Sequence, residues 1–241
     1  MYFNGINLKQ YFNILDIRRS ILPPQMINRQ PIPGKAGSIF VKAEHEESTI
    51  EVDIEIKGDN KKHLRKIINV LASKLITPEP GELRFYDELD KYYLAVLDGE
   101  TRLNEFYHFG TATLVFLLLD PIMYGKEVCV SLGNGLNTFY NLGTYKTRGK
   151  LIVEVEDMTK EYVKITREDT GEFIYIDKRW PYDDFSFTID FINEKVEDMR
   201  GNSMMTSLTL NSDFFDIPVG ECQIRLENIG IAELTFKERW L

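Results

Sequence analysis

The sequence predicts a mainly β protein with one α-helix, divided into an N-terminal β-sandwich carrying the helix and a C-terminal all-β sandwich. Three observations predict it. Segments alternating between apolar and polar residues recur along the chain, only one stretch repeats its apolar residues at helical spacing, and the texture changes sharply near the middle.

The clearest strand is residues 48–57, STIEVDIEIK. It sets Ile50, Val52, Ile54 and Ile56 on one side and Thr49, Glu51, Asp53 and Glu55 on the other, the period of a half-buried strand. Asp59 then stands where a helix N-cap belongs, and Leu64, Ile67, Ile68, Leu71 and Leu75 follow at spacings of three and four, which predicts a helix over about 60–75. Pro78 and Pro80 end it, because proline neither donates to the helical ladder nor lets its predecessor stay helical. LRFY (83–86) and KYYLAVLDG (91–99) flank an acidic DELD turn and read as a hairpin. ATLVFLLL (112–119), apolar on both faces, reads as a strand buried between two layers and stopped at Asp120-Pro121.

From Met123 to Gly149 glycine and asparagine accumulate, which places the division near residue 130 and gives domains 1–130 and 131–241. Beyond it LIVEVE, EYVKI, EFIYID, FSFTIDF, SLTLN, CQIRLEN and IAELTFKERW are short strand candidates without helical period, the pattern of an all-β sandwich. In FSFTIDF, Phe185, Phe187, Ile189 and Phe191 face one way.

The 241 residues include 29 basic and 38 acidic side chains, a formal net charge of -9 that argues against a protein built to grip nucleic acid or an anionic membrane. Residues 1–132 hold 16 basic and 18 acidic side chains against 13 and 20 in the remainder, so the second domain carries most of the acidity. Two cysteines, Cys129 and Cys222, cannot make a four-cysteine zinc site or a disulfide-stapled fold. The start, MYFNGINLKQYFNILDIRR, lacks the apolar stretch of a secretory signal, so no export is expected. The longest apolar run, LVFLLL, is far short of the ~20 residues that span a bilayer, so no membrane anchor is expected either.

The search for chemistry returns no catalytic, cofactor-binding or metal-ligating residues, and an enzyme is not expected. His45, His63 and His108 pair with no other His or Cys at a ligand spacing. GxSxG and HExxH are absent, and Gly133-Asn134-Gly135 lacks the third glycine and the flanking strand and helix of a dinucleotide loop. Asp183-Asp184 and Glu46-Glu47 are acidic pairs, but glycosidase action depends on a separation in space that sequence does not give. Lys178-Arg179-Trp180-Pro181-Tyr182 presents rings in a predicted loop of the second domain. Trp180 and Tyr182 could stack a sugar, against the plainer reading that they pack on the sandwich edge or a neighbouring subunit. Lys61, Lys62, Arg65 and Lys66 give the helix a basic outer face, read first as a solvated one, with an acidic partner surface as the alternative.

Residues 20–47 hold Pro23, Pro24, Pro31, Pro33, Gly34 and Gly37 in a stretch too long for an idle connection inside a compact domain. Against a plain surface loop, an extended arm laid on a neighbouring subunit would account for the apolar Ile21, Leu22, Met26, Ile27, Ile32, Ile39 and Phe40.

Read together and in order, FNGINL, LDIRRSILPP with IPGKAGS, STIEVDIEI, the helix before PEPGELRFYDELDKYYLAVLDG, FGTATLVFLLLDPIMYG and the closing FFDIPVGECQIRLENIGIAELTFKERWL carry a resemblance that spans nearly the whole chain. The chain resembles the distal tail proteins of the siphovirus tail component family, from phages or prophages of Gram-positive bacteria. It departs where the family often has proline after an Asn-x-Gly-Thr segment: here the chain reads NLGTYKTRGK, with Gly149 near that place.

The resemblance implies a structural virion protein of a siphophage tail. Its N-terminal domain would assemble into a hexameric ring and its C-terminal domain would be a galectin-like sandwich at the periphery, with the last strand packing back on the first domain. The implied role is a hub joining tail tube to baseplate or tail tip, with DNA passing through the central channel, and no cofactor. The implied partners are further copies of itself, the major tail tube protein, a tail-associated hub or lysin protein and receptor-binding proteins, with no sequence-specific nucleic acid and no membrane. Its place would be the virion, after assembly in the host cytoplasm. Within this frame residues 20–47 are the candidate arm, and Glu51, Asp53 and Glu55 are candidates to line the channel. The competing class is a carbohydrate-binding module that attaches the particle to the cell wall through Trp180 and Tyr182.

Overall fold

The computed structural model describes residues 1–34, 36–99, 101–156, 159–177 and 186–241. The chain forms two compact units, residues 1–123 with Leu241, and residues 124–240. Both are mainly β, and among the described residues one α-helix is present.

The first unit contains β1 (Tyr2–Phe3), β2 (Ile6–Asn7), β3 (Asn13–Arg18), β4 (Gln25–Pro31), β5 (Ser38–His45), β6 (Ser48–Lys57), α1 (Lys61–Leu75), β7 (Gly81–Phe85), β8 (Glu88–Asp98), β9 (Asn104–Glu105) and β10 (Phe109–Leu118). Its central sheet runs β8-β10-β6-β3 and is antiparallel, with Leu114 opposite Val52 and Ile17 beyond it. The period-two pattern sets this register: Ile50, Val52, Ile54 and Ile56 are all buried on the face toward α1, and a slip of one residue would turn them to solvent. Phe3 and Phe116 meet in the same core at 5.5 Å between ring centroids.

Three sequence expectations change here. The N-cap of α1 is Asn60, not Asp59: Asn60 has extended backbone and its Oδ1 accepts from the His63 N–H at 2.9 Å, while the Asp59 carboxylate meets His63 Nδ1 at 2.9 Å. Pairing of Phe85 with Glu88 confines the hairpin turn to Tyr86-Asp87, so most of the DELD segment belongs to β8. Strand β10 is buried on one face only. Gly110, Ala112, Leu114, Phe116 and Leu118 face the core, whereas Thr111, Thr113, Val115 and Leu117 stay half-exposed because nothing in their own unit covers them.

The second unit contains β11 (Met123–Asn141), β12 (Gly149–Glu154), β13 (Tyr162–Arg167), β14 (Phe173–Asp177), β15 (Ser186–Asp190), β16 (Lys195–Asp198) and β17 (Gly220–Trp240). Strand β17 organises it. Its first half pairs with β13, from Ile224 to Glu227, and its second half with β12, from Ile231 to Phe236. The change of partner falls at Asn228, which takes a positive φ of 62° and turns the strand through the corner. CQIRLEN and IAELTFKERW are therefore one bent strand. Between the two ladders lie Val153, Ile165, Ile174, Phe187, Ile189 and Leu226, all fully buried.

The expected division near residue 130 falls inside β11, and the units part at residues 123 and 124 instead. Most of the Gly/Asn-rich stretch, taken to mark the division, lies in this 19-residue strand. Gly135 supplies a positive φ of 99°, and the Asn137 amide bonds the backbone of Gly133 and Gly135, a side-chain substitute for ladder bonds at an irregular point. Gly149 is also positional: a Cβ there would sit 2.4 Å from the Thr235 carbonyl oxygen, so only glycine admits the approach of β12 to β17. SLTLN is no strand. It follows a 3-10 turn at Met205–Ser207 and joins the sheet through the single bridge from Leu208 to Ile176. Phe185 lies outside the described residues.

The arm and the charged sheet face as candidate functional site

Within residues 20–47, β4 pairs with β5 as a hairpin and, among the described residues, with no other strand, apart from the sheet that holds the core. Its root is fixed. The Glu46 N–H bonds the Pro24 carbonyl at 3.0 Å, and Arg19, just before the arm, pairs with Asp87 at 2.5 Å and lies over the Phe85 ring at 4.5 Å. The apolar side chains of the arm and of its approach are exposed: Ile21 is 96% exposed, and Leu22, Met26 and Ile39 are exposed as well. Ile32, expected among them, is instead half-buried in the turn.

The register gives the arm two different faces. Ile27 opposes Ala43, and the pairing then shifts so that Arg29 opposes Phe40, leaving Val41 as the extra residue of a bulge. Two residues then oppose one and leave the strand on the same side, so Ile27, Phe40, Val41 and Ala43 share a face. Ile27, Phe40 and Val41 are 58%, 63% and 58% exposed.

Glu51, Asp53 and Glu55 lie on the outward side of β6, as the alternation requires, but not as bare acids. Arg18 on β3 forks onto Asp53 at 2.7 and 3.1 Å, reaches Glu51 at 2.9 Å and touches Asp16 at 3.4 Å. Thr113 on β10 donates to Asp53 at 2.6 Å, and Lys57 pairs with Glu55 at 2.8 Å. The Arg18 bonds, with the Thr113 hydroxyl second, hold the Asp53 carboxyl below the usual carboxylate range, and Asp53 and Glu51 raise Arg18. The face is a polar sheet surface on which two cations, Arg18 and Lys57, tie down four carboxylates, Asp16, Glu51, Asp53 and Glu55, and leave it net acidic. Arg18 and Thr113 escaped the sequence reading because their relation to Asp53 exists only once β3, β6 and β10 are in register, whereas Lys57 lies two residues from Glu55 on β6 itself. The alternation of LDIR with STIEVDIEI was the signal available.

The other candidates separate. Trp180 and Tyr182, with Asp183 and Asp184, lie outside the described residues. On α1, Arg65 pairs with Glu105 at 2.8 Å, while the Lys61, Lys62 and Lys66 ammonium groups make no ion pair among the described residues. Cys129 is exposed and Cys222 is buried, and burial pushes the Cys222 thiol up to about 11. Among the described residues no group of three or more His, Cys, Asp or Glu could hold a metal ion, and no helix is long and apolar enough to cross a membrane.

Comparison with known families accounts for both units. Residues 6–118 match the phage tail protein RIFT-related domain, and residues 142–240 match the siphovirus-type tail component, C-terminal domain. The chain belongs to the distal tail protein family of siphophages. Within that family it is 22% identical over 243 residues to the distal tail protein of Bacillus phage SPP1, a match covering all of this chain and 95% of that one. The crystal structure of the SPP1 distal tail protein, described as a paradigm of the hub adsorption apparatus in phages that infect Gram-positive bacteria, has the same fold. Its TM-score is 0.85 at 19% identity, over 99% of this chain and 98% of that one. As a distal tail family member this protein is a structural component of a siphophage tail.

Proposed function

We propose that this protein is the hub of a siphophage tail tip: a hexameric ring of N-terminal units that joins the tail tube to the baseplate and lets DNA pass through its centre. The observation that carries this reading is the arm. A hairpin that presents Ile27, Phe40 and Val41 to solvent and is covered by nothing in its own unit is built to be covered by another chain. The family's association with tail hubs supports a ring of this kind as the assembly.

In this reading the division of labour follows the two units. The first forms the ring through residues 20–47. The second, a galectin-like sandwich, stands at the periphery, where receptor-binding proteins attach. The tail tube protein and a tail-associated hub or lysin protein dock on the two faces of the ring. The role is structural and non-enzymatic, and its place is the virion, after assembly in the host cytoplasm.

The outward face of β6 suits a channel wall. DNA carries one charge per ~1.7 Å of axis and clings to surfaces rich in unpaired Lys and Arg. Here the guanidinium of Arg18 is already committed to Asp53 and Glu51, so a wall bearing this face offers phosphate little to hold.

Negative-stain electron microscopy of the purified protein tests the ring. The expected particle has six subunits around an open centre, a mass of about 169 kDa for six copies of a 28.1 kDa chain. Particles without a central opening at any protein concentration would overturn the reading.

A further inference from the structure

The first two turns of α1 carry cations that work against the helix itself. Lys61, Lys62, Arg65 and Lys66 stand there with no acidic residue among the 15 of the helix, in a chain whose formal net charge is -9. Lys61 and Lys62 lie where the macrodipole disfavours positive charge, and Lys62 and Lys66 repel each other at a spacing of four. Arg65 has Glu105 as its partner, but Lys61, Lys62 and Lys66 have no ion pair among the described residues. A shallow hollow of about 560 Å3 runs along this face, lined by Lys62, Arg65, Lys66, Asn69 and Val70.

Beside it stands an aromatic knuckle. Residues 106–108 join β9 to β10 and leave Phe106 52% and Tyr107 81% exposed. The knuckle is held at several points: the Phe106 N–H donates to the Phe109 carbonyl and the Gly58 N–H to the His108 carbonyl, both at 2.8 Å, and the Phe106 ring stacks on Phe109 at 4.6 Å. The Arg65 to Glu105 pair at 2.8 Å ties it to the helix, so the cations and the rings form one surface.

We propose that this surface docks an acidic face of a different tail protein, whose carboxylates meet Lys61, Lys62 and Lys66 and whose apolar cleft seats Tyr107. This rests on the reading of the chain as a tail hub, since that assembly supplies the neighbour. Charge complementarity sets the sign of the partner's face, because unpaired cations beside exposed rings are satisfied by carboxylates and not by more Lys or Arg. The rings set its class. Tyrosine is enriched among the residues that carry binding energy at protein interfaces, and cations around such an anchor speed encounter and fix register. Position argues against nucleic acid. Helix α1 covers the apolar face of β6, so its outer side and the side of Glu51, Asp53 and Glu55 look away from each other across the core. With those carboxylates on the channel wall, DNA would pass on the far side of the sheet from Lys62.

The test uses the full chain in assembled tails, with benzoylphenylalanine in place of Tyr107. The tails are irradiated and the cross-linked species mapped by mass spectrometry. The expected cross-links join position 107 to a segment of a different tail protein that holds more Asp and Glu than Lys and Arg. Lys62→Glu combined with Lys66→Glu should lower the amount of this protein joined into tails about tenfold or more, because it turns attraction between close charges into repulsion, while the purified variant keeps its fold and its ring. Lys62→Gln with Lys66→Gln takes its place should the reversal not fold. Cross-links to a second copy, to DNA or to a segment without excess acid would overturn the docking site, as would tails with no cross-link from position 107. A variant that joins tails as well as the unaltered chain, or that loses its ring, would overturn it too. Purified chain that never forms open-centred particles, with acidic cross-links present in tails, would overturn the ring and leave the docking site standing.

Discussion

Strands β5 and β6 lie next to each other in the chain and use the same kinds of residue to opposite ends. In β6, Ile50, Val52, Ile54 and Ile56 are at most 2% exposed, whereas in β5, Ile39, Phe40 and Val41 are 53–63% exposed. Nothing in the residue types separates them. What differs is the cover. One face of β6 has α1 above it, while the hairpin of β4 and β5 pairs only with itself and projects away from any core. Apolar content therefore marks where contact is made, and position in the fold decides whether the contact is internal or belongs to an assembly.

Substitutions at matched positions sharpen that contrast. Val52→Asp places an unpaired carboxylate in the core and should destabilise the chain by at least ~4 kcal/mol, read by denaturant unfolding. Phe116→Ala, in the same layer, should cost about 3–5 kcal/mol. Loosening the lid over β6 should matter less: Asn60→Ala removes the cap of α1 and should cost ~1 kcal/mol, while Asp59→Ala, outside the cap, should cost well under half of that. Phe40→Asp should change the stability of the isolated chain by no more than ~0.5 kcal/mol, because it exchanges one exposed side chain for another, yet it should abolish assembly. If Phe40→Asp unfolded the protein as Val52→Asp does, the contrast between the two strands would be false.

The polar side of β6 gives the smallest effect and the most specific one. The folded Asp53 carboxyl lies below its ordinary value near 3.9, so whatever it contributes to stability is complete above that value and lost as pH falls through the lowered folded-state one. Arg18→Ala should return the Asp53 titration toward the ordinary value, followed by carboxyl NMR. An Asp53 that titrates identically in both proteins would mean that Arg18 does not hold it.

The sequence made β6, α1 and the class of the fold readable because their patterns are local. Four alternating aliphatics and a stripe at spacings of three and four need no knowledge of what lies across the fold. The failures were tertiary. Asn60 and Asp59 are both good capping residues, and only backbone geometry chooses between them. The Gly/Asn stretch from 123 to 149 read as a domain division because glycine and asparagine usually punctuate, yet Gly135, Asn137 and Gly149 serve the irregular and close-packed points of strands. At the candidate site the arm was legible as a long Pro/Gly-rich segment that kept its aliphatics. Its hairpin form and the bulge that sets Phe40 beside Val41 were not, since both depend on register.

The account stands on the arm, and deleting residues 25–45 tests it most directly, with light scattering to report the mass and circular dichroism to report the fold. The prediction is a full-length chain that assembles to about six times 28.1 kDa and a shortened chain that stays folded at the mass of a monomer. A shortened chain that still assembles to the mass of the full-length ring would contradict it.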